Sequence, residues 1–139
     1  MFLKDYWYAA AWSHEVGGAL LPRTIVGESI VLLRDRDGAP VALQDRCPHR
    51  YLPLSQGQAI EGGIRCAYHG ISFDTRGACT GVPSQTVIPD KLRVRTFPAV
   101  EKHGLVWLWM GDAAQAASTP VPDHFHVNTD PAWTSARDY

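Results

Sequence analysis

An all-β chain of antiparallel strands is what this sequence predicts, and three observations predict it. Ten Pro and twelve Gly punctuate 139 residues, and few segments hold the 3.6-residue apolar period of a long helix. Short apolar or alternating runs sit between Gly, Asp and Pro turns, the pattern of successive hairpins. Two of the loops each carry a Cys and a His: Cys47-Pro48-His49-Arg50 and Cys66-Ala67-Tyr68-His69-Gly70.

Taken in order, residues 5 to 12 are aromatic-rich and read as an opening strand, followed by a turn over Ser13 to Gly18. Arg23 to Val26 and Ser29 to Arg34 flank Gly27-Glu28, a hairpin signal, and Asp35-Arg36-Asp37-Gly38 turns the chain again before Pro40 to Leu43. This meander leads into the first Cys-His loop. Ile64-Arg65-Cys66 and Ile71-Ser72-Phe73-Asp74 flank the second, which therefore sits at a hairpin tip, and Thr75-Arg76-Gly77 turns the chain once more. Lys91 to Val100 alternates and reads as one strand, joined through Glu101-Lys102-His103-Gly104 to Leu105 to Met110. Trp107 and Trp109 fall on one face of that last strand and read as core. After Asp112 the period stops. Ala113 to Ser118 is small and polar and Thr119-Pro120-Val121-Pro122 is stiff, so residues 112–139 read as a solvated, Pro-containing linker.

The length fits one domain with a core of its own. A net charge of −1 without a basic run argues against nucleic acid and anionic membrane surfaces as partners. No apolar stretch approaches the length of a membrane span, and Met1-Phe2-Leu3-Lys4 leads directly into charged and aromatic residues, so a soluble cytoplasmic protein is expected. Of three Cys, two are committed if the loops bind metal; Cys79 then has no disulfide partner and reads as a small hydrophobe. His14 and His103 read as surface residues in turns.

Cys47, His49, Cys66 and His69 are the candidate metal ligands. Spacings of one and two residues let each pair converge from one tight loop, for which Pro48 supplies a fixed φ and Gly70 freedom from Cβ. Tetrahedral zinc uses the same donors, and a structural zinc module stays an alternative on donors alone. The order favours iron. Zinc fingers usually pair Cys with Cys and His with His, whereas each loop here gives one sulfur and one nitrogen, which suits two sulfide-bridged irons with both Cys on one and both His on the other.

Those motifs, with Leu54-Ser55-Gln56-Gly57 and Phe73-Asp74 before Gly77, resemble the N-terminal Rieske domain of the Rieske non-haem iron oxygenases. Tyr6-Trp7-Tyr8, Leu21-Pro22-Arg23-Thr24 and Val106-Trp107-Leu108-Trp109-Met110-Gly111-Asp112 resemble the branch that holds vanillate O-demethylase and dicamba demethylase. The resemblance implies a Rieske fold over residues 1–111, with a cluster-binding subdomain at about 45–84 and a [2Fe–2S] cluster on the tips of two hairpin loops. It also implies electron supply from a flavin or iron–sulfur reductase, and onward transfer to a catalytic oxygenase domain, in some relatives that of a neighbouring subunit, for monooxygenation or O-demethylation of an aromatic substrate. That domain's mononuclear iron motif has no match here: His124 and His126 with Asp123 or Asp130 lack its spacing. A free-standing Rieske ferredoxin is the rival.

Further implications are residue by residue. Ligation through Nδ1 would turn the Nε2 edges of His49 and His69 outward. In high-potential relatives a Ser and a Tyr donate to cluster sulfur where Ile71 and Phe73 stand, and an extra Cys pair occupies the places of Leu52 and Tyr68. Gly81-Val82-Pro83 resembles a proline loop that covers the cluster, although an ordinary turn explains it equally. Arg46 and Arg50 beside the first loop suit partner binding, and Tyr51 stands where relatives often have a small residue.

Overall fold

Strand Glu28–Arg34 is buried on both faces, and the architecture follows from it. Ile30 and Leu32 enter one apolar core while Val31 and Leu33 enter a second, all at 2% exposure or less. A strand with cores on both sides cannot alternate, which explains its continuous apolar run. The computed structural model describes residues 1–134. In chain order its strands are β1 Tyr6–Trp12, β2 Leu21–Ile25, β3 Glu28–Arg34, β4 Pro40–Gln44, β5 Gln58–Ile60, β6 Gly63–Arg65, β7 Ser72–Asp74, β8 Cys79–Gly81, β9 Thr96–Phe97, β10 Ala99–Lys102 and β11 Leu105–Met110.

They form three antiparallel sheets: β1-β11-β10, β2-β3-β4-β9 and β5-β6-β7-β8. The middle sheet packs against Val106, Leu108 and Met110 of the first on one side, and on the other against Ile64 and Phe73 of the third together with Leu54 and Ile71 from the loops beside it. The all-β expectation is met.

Three local expectations need correction. The β2–β3 turn is Val26-Gly27 rather than Gly27-Glu28; both residues have positive φ (54° and 77°), as a two-residue hairpin turn of the favoured twist requires, and Glu28 already belongs to β3. Lys91 to Val100 is not one strand. Thr96 and Phe97 pair with β4, Ala99 to Lys102 pair with β11, and Pro98 stands between them, having no N–H to give either ladder. Trp109 N donates instead to the Pro98 carbonyl at 2.9 Å, so the chain changes sheet there.

The third concerns the stretch after Asp112, which is not simply solvated. Asp112 caps a single helical turn, α1 (Ala113–Ala116), by accepting from Ala114 N. Beyond it, Trp7 Nε1 donates to the Thr119 carbonyl at 2.7 Å, Val121 is buried against Leu105 and Trp107, and the Phe125 ring meets Trp107 edge-on at 5.3 Å. His103, expected on the surface, has a side chain only 10% exposed and meets the Asp123 carboxylate at 2.9 Å. Hydrogen bonds from Lys102 and then His103 hold that carboxyl below its ordinary range. The outer face of the first sheet, rich in Trp, attracts this covering because bare it would be a large apolar patch. The end of the expected linker, residues 135–139, lies outside the described residues.

Arg34, at the end of β3, ties the layers together. Its Nε donates to the Val16 carbonyl and its Nη2 to the Ser13 carbonyl, each at 2.7 Å, and its Nη1 to the Gly38 carbonyl at 2.7 Å and to Glu101 of β10. Arg34→Ala therefore removes donors from three main-chain carbonyls and is expected to destabilise the chain by about 2 kcal/mol, whereas Glu101→Ala, which breaks only a partly exposed ion pair, is expected to cost under about 1 kcal/mol. Urea unfolding of both variants checks this; equal midpoints would rule out the hub role.

Candidate metal centre

The two Cys-His loops share one main-chain scheme. Cys47 N donates to the carbonyl five residues on, Leu52, and Cys47 O accepts from Tyr51 N four residues on, both at 2.8 Å. Cys66 N likewise donates to Ile71 O at 2.8 Å, and Cys66 O accepts from Gly70 N at 3.1 Å. Such a closure needs a left-handed residue four places after the Cys. Gly70 supplies it at φ 71°, and Tyr51 at φ 65°. Gly70 meets this demand freely, while for Tyr51 it costs about 1–2 kcal/mol. The second loop is the tip of the β6–β7 hairpin; the first joins β4 of the middle sheet to β5 of the third.

Side chains diverge by depth. Cys47 and Cys66 are each 2% exposed in the second core. His49 and His69 are exposed at the tip, with Nδ1 facing Nδ1 at 3.2 Å. Two imidazole nitrogens bound at about 2.0–2.1 Å to one tetrahedral metal stand about 3.3 Å apart, so the spacing fits a shared ion. Burial first, and then the neighbouring Cys66 thiol, push the Cys47 thiol above its ordinary range, while main-chain N–H groups of His49 and Arg50 pull the other way. A thiol buried as Cys47 is resists ionising unless a cation joins it. Two sulfurs inside and two nitrogens outside are the donor arrangement that suits a binuclear centre with sulfur on one iron and nitrogen on the other.

Neighbouring groups brace this arrangement. Asp45 accepts from Ser55 N at 2.7 Å and from Ser55 Oγ at 2.6 Å, clasping the two ends of the first loop. Tyr68 stacks on the His69 ring, centroids 3.8 Å apart. The Gly81-Val82-Pro83 stretch does lie over the site. A Cβ on Gly70 would stand 3.1 Å from Pro83 Cγ, and Val82, Gln85 and Leu92 line a cavity with His49, His69 and Ile71. Ile71 and Phe73, 4% and 0% exposed, offer no side-chain donor on the sulfur side. Cys79 packs at the edge of the second core with Sγ 3.7 Å from the Gly81 carbonyl. Sequence reasoning missed Asp45 and the stacking role of Tyr68; the first shows only as an acid and a hydroxyl ten residues apart on either side of the loop. Of the described residues near the C-terminus, His126 Nδ1 faces the Asp123 carbonyl at 3.0 Å, and the Asp123 carboxylate faces Lys102 and His103.

This geometry is that of an iron–sulfur fold of one kind: the chain belongs to the Rieske [2Fe–2S] domain family, whose profile matches residues 6–98. Its cofactor is a Rieske [2Fe–2S] cluster. Among curated relatives, the toluene-4-sulfonate monooxygenase system iron–sulfur subunit of Comamonas testosteroni is 41% identical over 140 residues, covering 100% of this chain and 40% of that one. The oxygenase component of dicamba O-demethylase from Stenotrophomonas maltophilia is 41% identical over 139 residues, covering 99% and 41%. The crystal structure of dicamba monooxygenase with non-heme iron and dicamba superposes with a TM-score of 0.88 at 42% identity, over 94% of this chain and 40% of that one. The chain thus spans about 40% of the length of the curated relatives it matches.

Asp45→Ala leaves the Ser55 N–H without its acceptor and is expected to lower stability by about 1–3 kcal/mol. It should also speed the loss of visible absorbance under a chelator. Unchanged melting and unchanged bleaching would show that the clasp holds nothing.

Proposed function

We propose that this chain is the electron-relay part of an oxygenase component, with Cys47 and Cys66 holding one iron and His49 and His69 the other. The observation that carries the reading is the facing pair of imidazole Nδ1 atoms at an exposed tip with both thiols buried behind them. A centre so ligated takes up and returns one electron at a potential between about −150 and +300 mV, above the roughly −400 mV of all-Cys plant-type clusters. The residues supply the route and the setting. Ligation through the facing Nδ1 atoms would leave the Nε2 edges of His49 and His69 at the exposed tip, where an electron could enter or leave. The buried thiol side keeps water from the sulfurs.

Residues 1–111 would then form the relay domain, with about 45–84 as its cluster-binding subdomain, and 112–139 the passage toward a catalytic domain. A flavin or iron–sulfur reductase supplies the electron, and the reaction served is monooxygenation or O-demethylation of an aromatic substrate. The names of the relatives, oxygenase components acting on toluene-4-sulfonate and dicamba, support that class. The setting is cytoplasmic; none of the described helices is long and apolar enough to cross a membrane.

Anaerobically purified protein is expected to contain two irons and two acid-labile sulfides per chain and, once reduced, to show the low average g-value of mixed Cys and His ligation. One zinc and no iron would overturn the reading. Cys47→Ser or Cys66→Ser should abolish the cluster and destabilise the fold around it, since metal binding and folding are coupled.

Potential is the second test. Ile71 and Phe73 wall the thiol side without a donor, and a donor to sulfur favours the reduced, more negative state. A differential of about 1 kcal/mol between redox states corresponds to about 40 mV for one electron. Ile71→Ser and Phe73→Tyr should each raise the potential by tens of millivolts, measured by voltammetry of all three proteins at one fixed pH. Two well-folded variants with wild-type potentials would refute this account of the apolar wall.

A further inference from the structure

The first loop contains an unforced strain. Its left-handed position, which the matching loop fills with Gly70, is filled by Tyr51 at φ 65°, and a bulky residue there is a true outlier. The Tyr51 side chain is not spent on the core. It is 62% exposed, and the Arg46 guanidinium lies over its ring at 3.9 Å. The pair forms a flat, cationic platform beside the exposed His49. Arg50, also exposed, stands between His49 and Tyr51 in the chain, and Tyr68, 54% exposed, covers His69 on the other side.

The surroundings are mostly of one sign of charge. Residues 46–51, 65–70 and 81–92, which make up the tip and its cover, include Arg46, Arg50, Arg65 and Lys91 against one acid, Asp90, although the whole chain holds 14 acids against 13 Lys and Arg. Asp90 is followed directly by Lys91, and Asp45, next to the first loop, is turned to Ser55. Loop closure does not call for this arrangement, because a Gly at position 51 closes the loop at lower cost, and Arg46 is exposed with its guanidinium over the Tyr51 ring. Strain kept at a functional tip, exposed aromatics and an excess of positive charge are together the features of a surface that captures a partner briefly and by electrostatic steering.

We infer that Arg46, Arg50 and Tyr51 form the docking face for an acidic electron-donor protein, which approaches the cluster from the His49 side. The inference rests on the electron-relay reading and adds the chemistry of the donor's surface. One electron leaves the donor's reduced centre and arrives at the oxidised cluster; no bond forms or breaks.

The test uses cluster-loaded chain and a reduced plant-type [2Fe–2S] ferredoxin, an acidic one-electron donor of lower potential, with the second-order rate followed by visible absorbance at low and high salt. The wild-type rate is expected to fall steeply as salt screens the encounter. Replacing Arg46 and Arg50 together by Glu should slow it about tenfold or more at low salt and flatten the salt dependence. Tyr51→Gly puts a residue at ease in the strained position, so it should keep or raise the melting temperature and leave the midpoint potential unchanged, yet slow reduction by the ferredoxin. A photoreduced neutral deazaflavin, which has no charged face to recognise, should reduce all forms at one rate. A salt-independent ferredoxin rate alongside normal reduction by the deazaflavin would overturn the docking face alone, as would variants slowed equally with both reductants. Failure of wild type to be reduced by the deazaflavin would overturn the relay reading itself and the docking face with it.

Discussion

Two thiol-bearing residues are locked by their own main chain into loops of one shape, and the rest of the structure either supports those loops or exploits them. The Cys N–H reaches the carbonyl five residues on, and the Cys carbonyl receives the N–H four residues on. This closure fixes where each sulfur points. It also fixes depth. Cys47 and Cys66 face the apolar core shared with Val31, Leu33, Leu43 and Phe73, whereas His49 and His69, only two and three residues further along, have already reached the surface. A gradient from dry sulfur to wet nitrogen is thus built into the loop geometry, and it separates the side that sets the energy of an electron from the side that exchanges it.

Much of this was legible in the sequence, because the determining features are local. Cys-x-His and Cys-x-x-His name the candidate donors and their order, and Gly and Pro mark the loops. Val106 to Met110 and Ser29 to Arg34 announce strands by composition. What could not be read was set by partners far along the chain. Lys91 to Val100 has the alternation of one strand, and only the competition of β4 and β11 for its two halves shows why Pro98 divides it. The stretch after Asp112 has no period, yet the indole of Trp7, 112 residues from Thr119, holds it down. His103 reads as a turn residue on the surface until Asp123 closes over it. Asp45 and Ser55 reveal their bond only once the loop between them has folded.

The middle sheet mediates between two different kinds of packing. Toward the first sheet its contacts are aliphatic and aromatic, with Ile30, Leu32, Ala42 and Phe97 against Val106, Leu108 and Met110. Toward the third, the same strands meet a core that includes two thiols. Arg34 hydrogen-bonds Val16, Ser13 and Gly38 and reaches Glu101, so that β3, β10 and the segment after β1 are joined at one guanidinium. Its planar fork offers donors in several directions at once, which Lys cannot match.

The order of strands has a consequence for how the molecule assembles. The third sheet is contiguous in the chain, from Gln58 to Gly81, and each strand in it pairs with its neighbour in sequence. It is inserted between β4 and β9, which pair with one another across it, while β1 pairs with β11 from the opposite end of the domain. Closing short loops is entropically cheap and closing long ones is rewarded late. The third sheet is therefore a nested stretch of chain whose local pairing can form early, enclosed by strands whose pairing spans nearly the whole domain. Its apolar face is completed only by Val31, Leu33 and Leu43 of the middle sheet, so the local hairpins and the long-range strands depend on each other for a finished core.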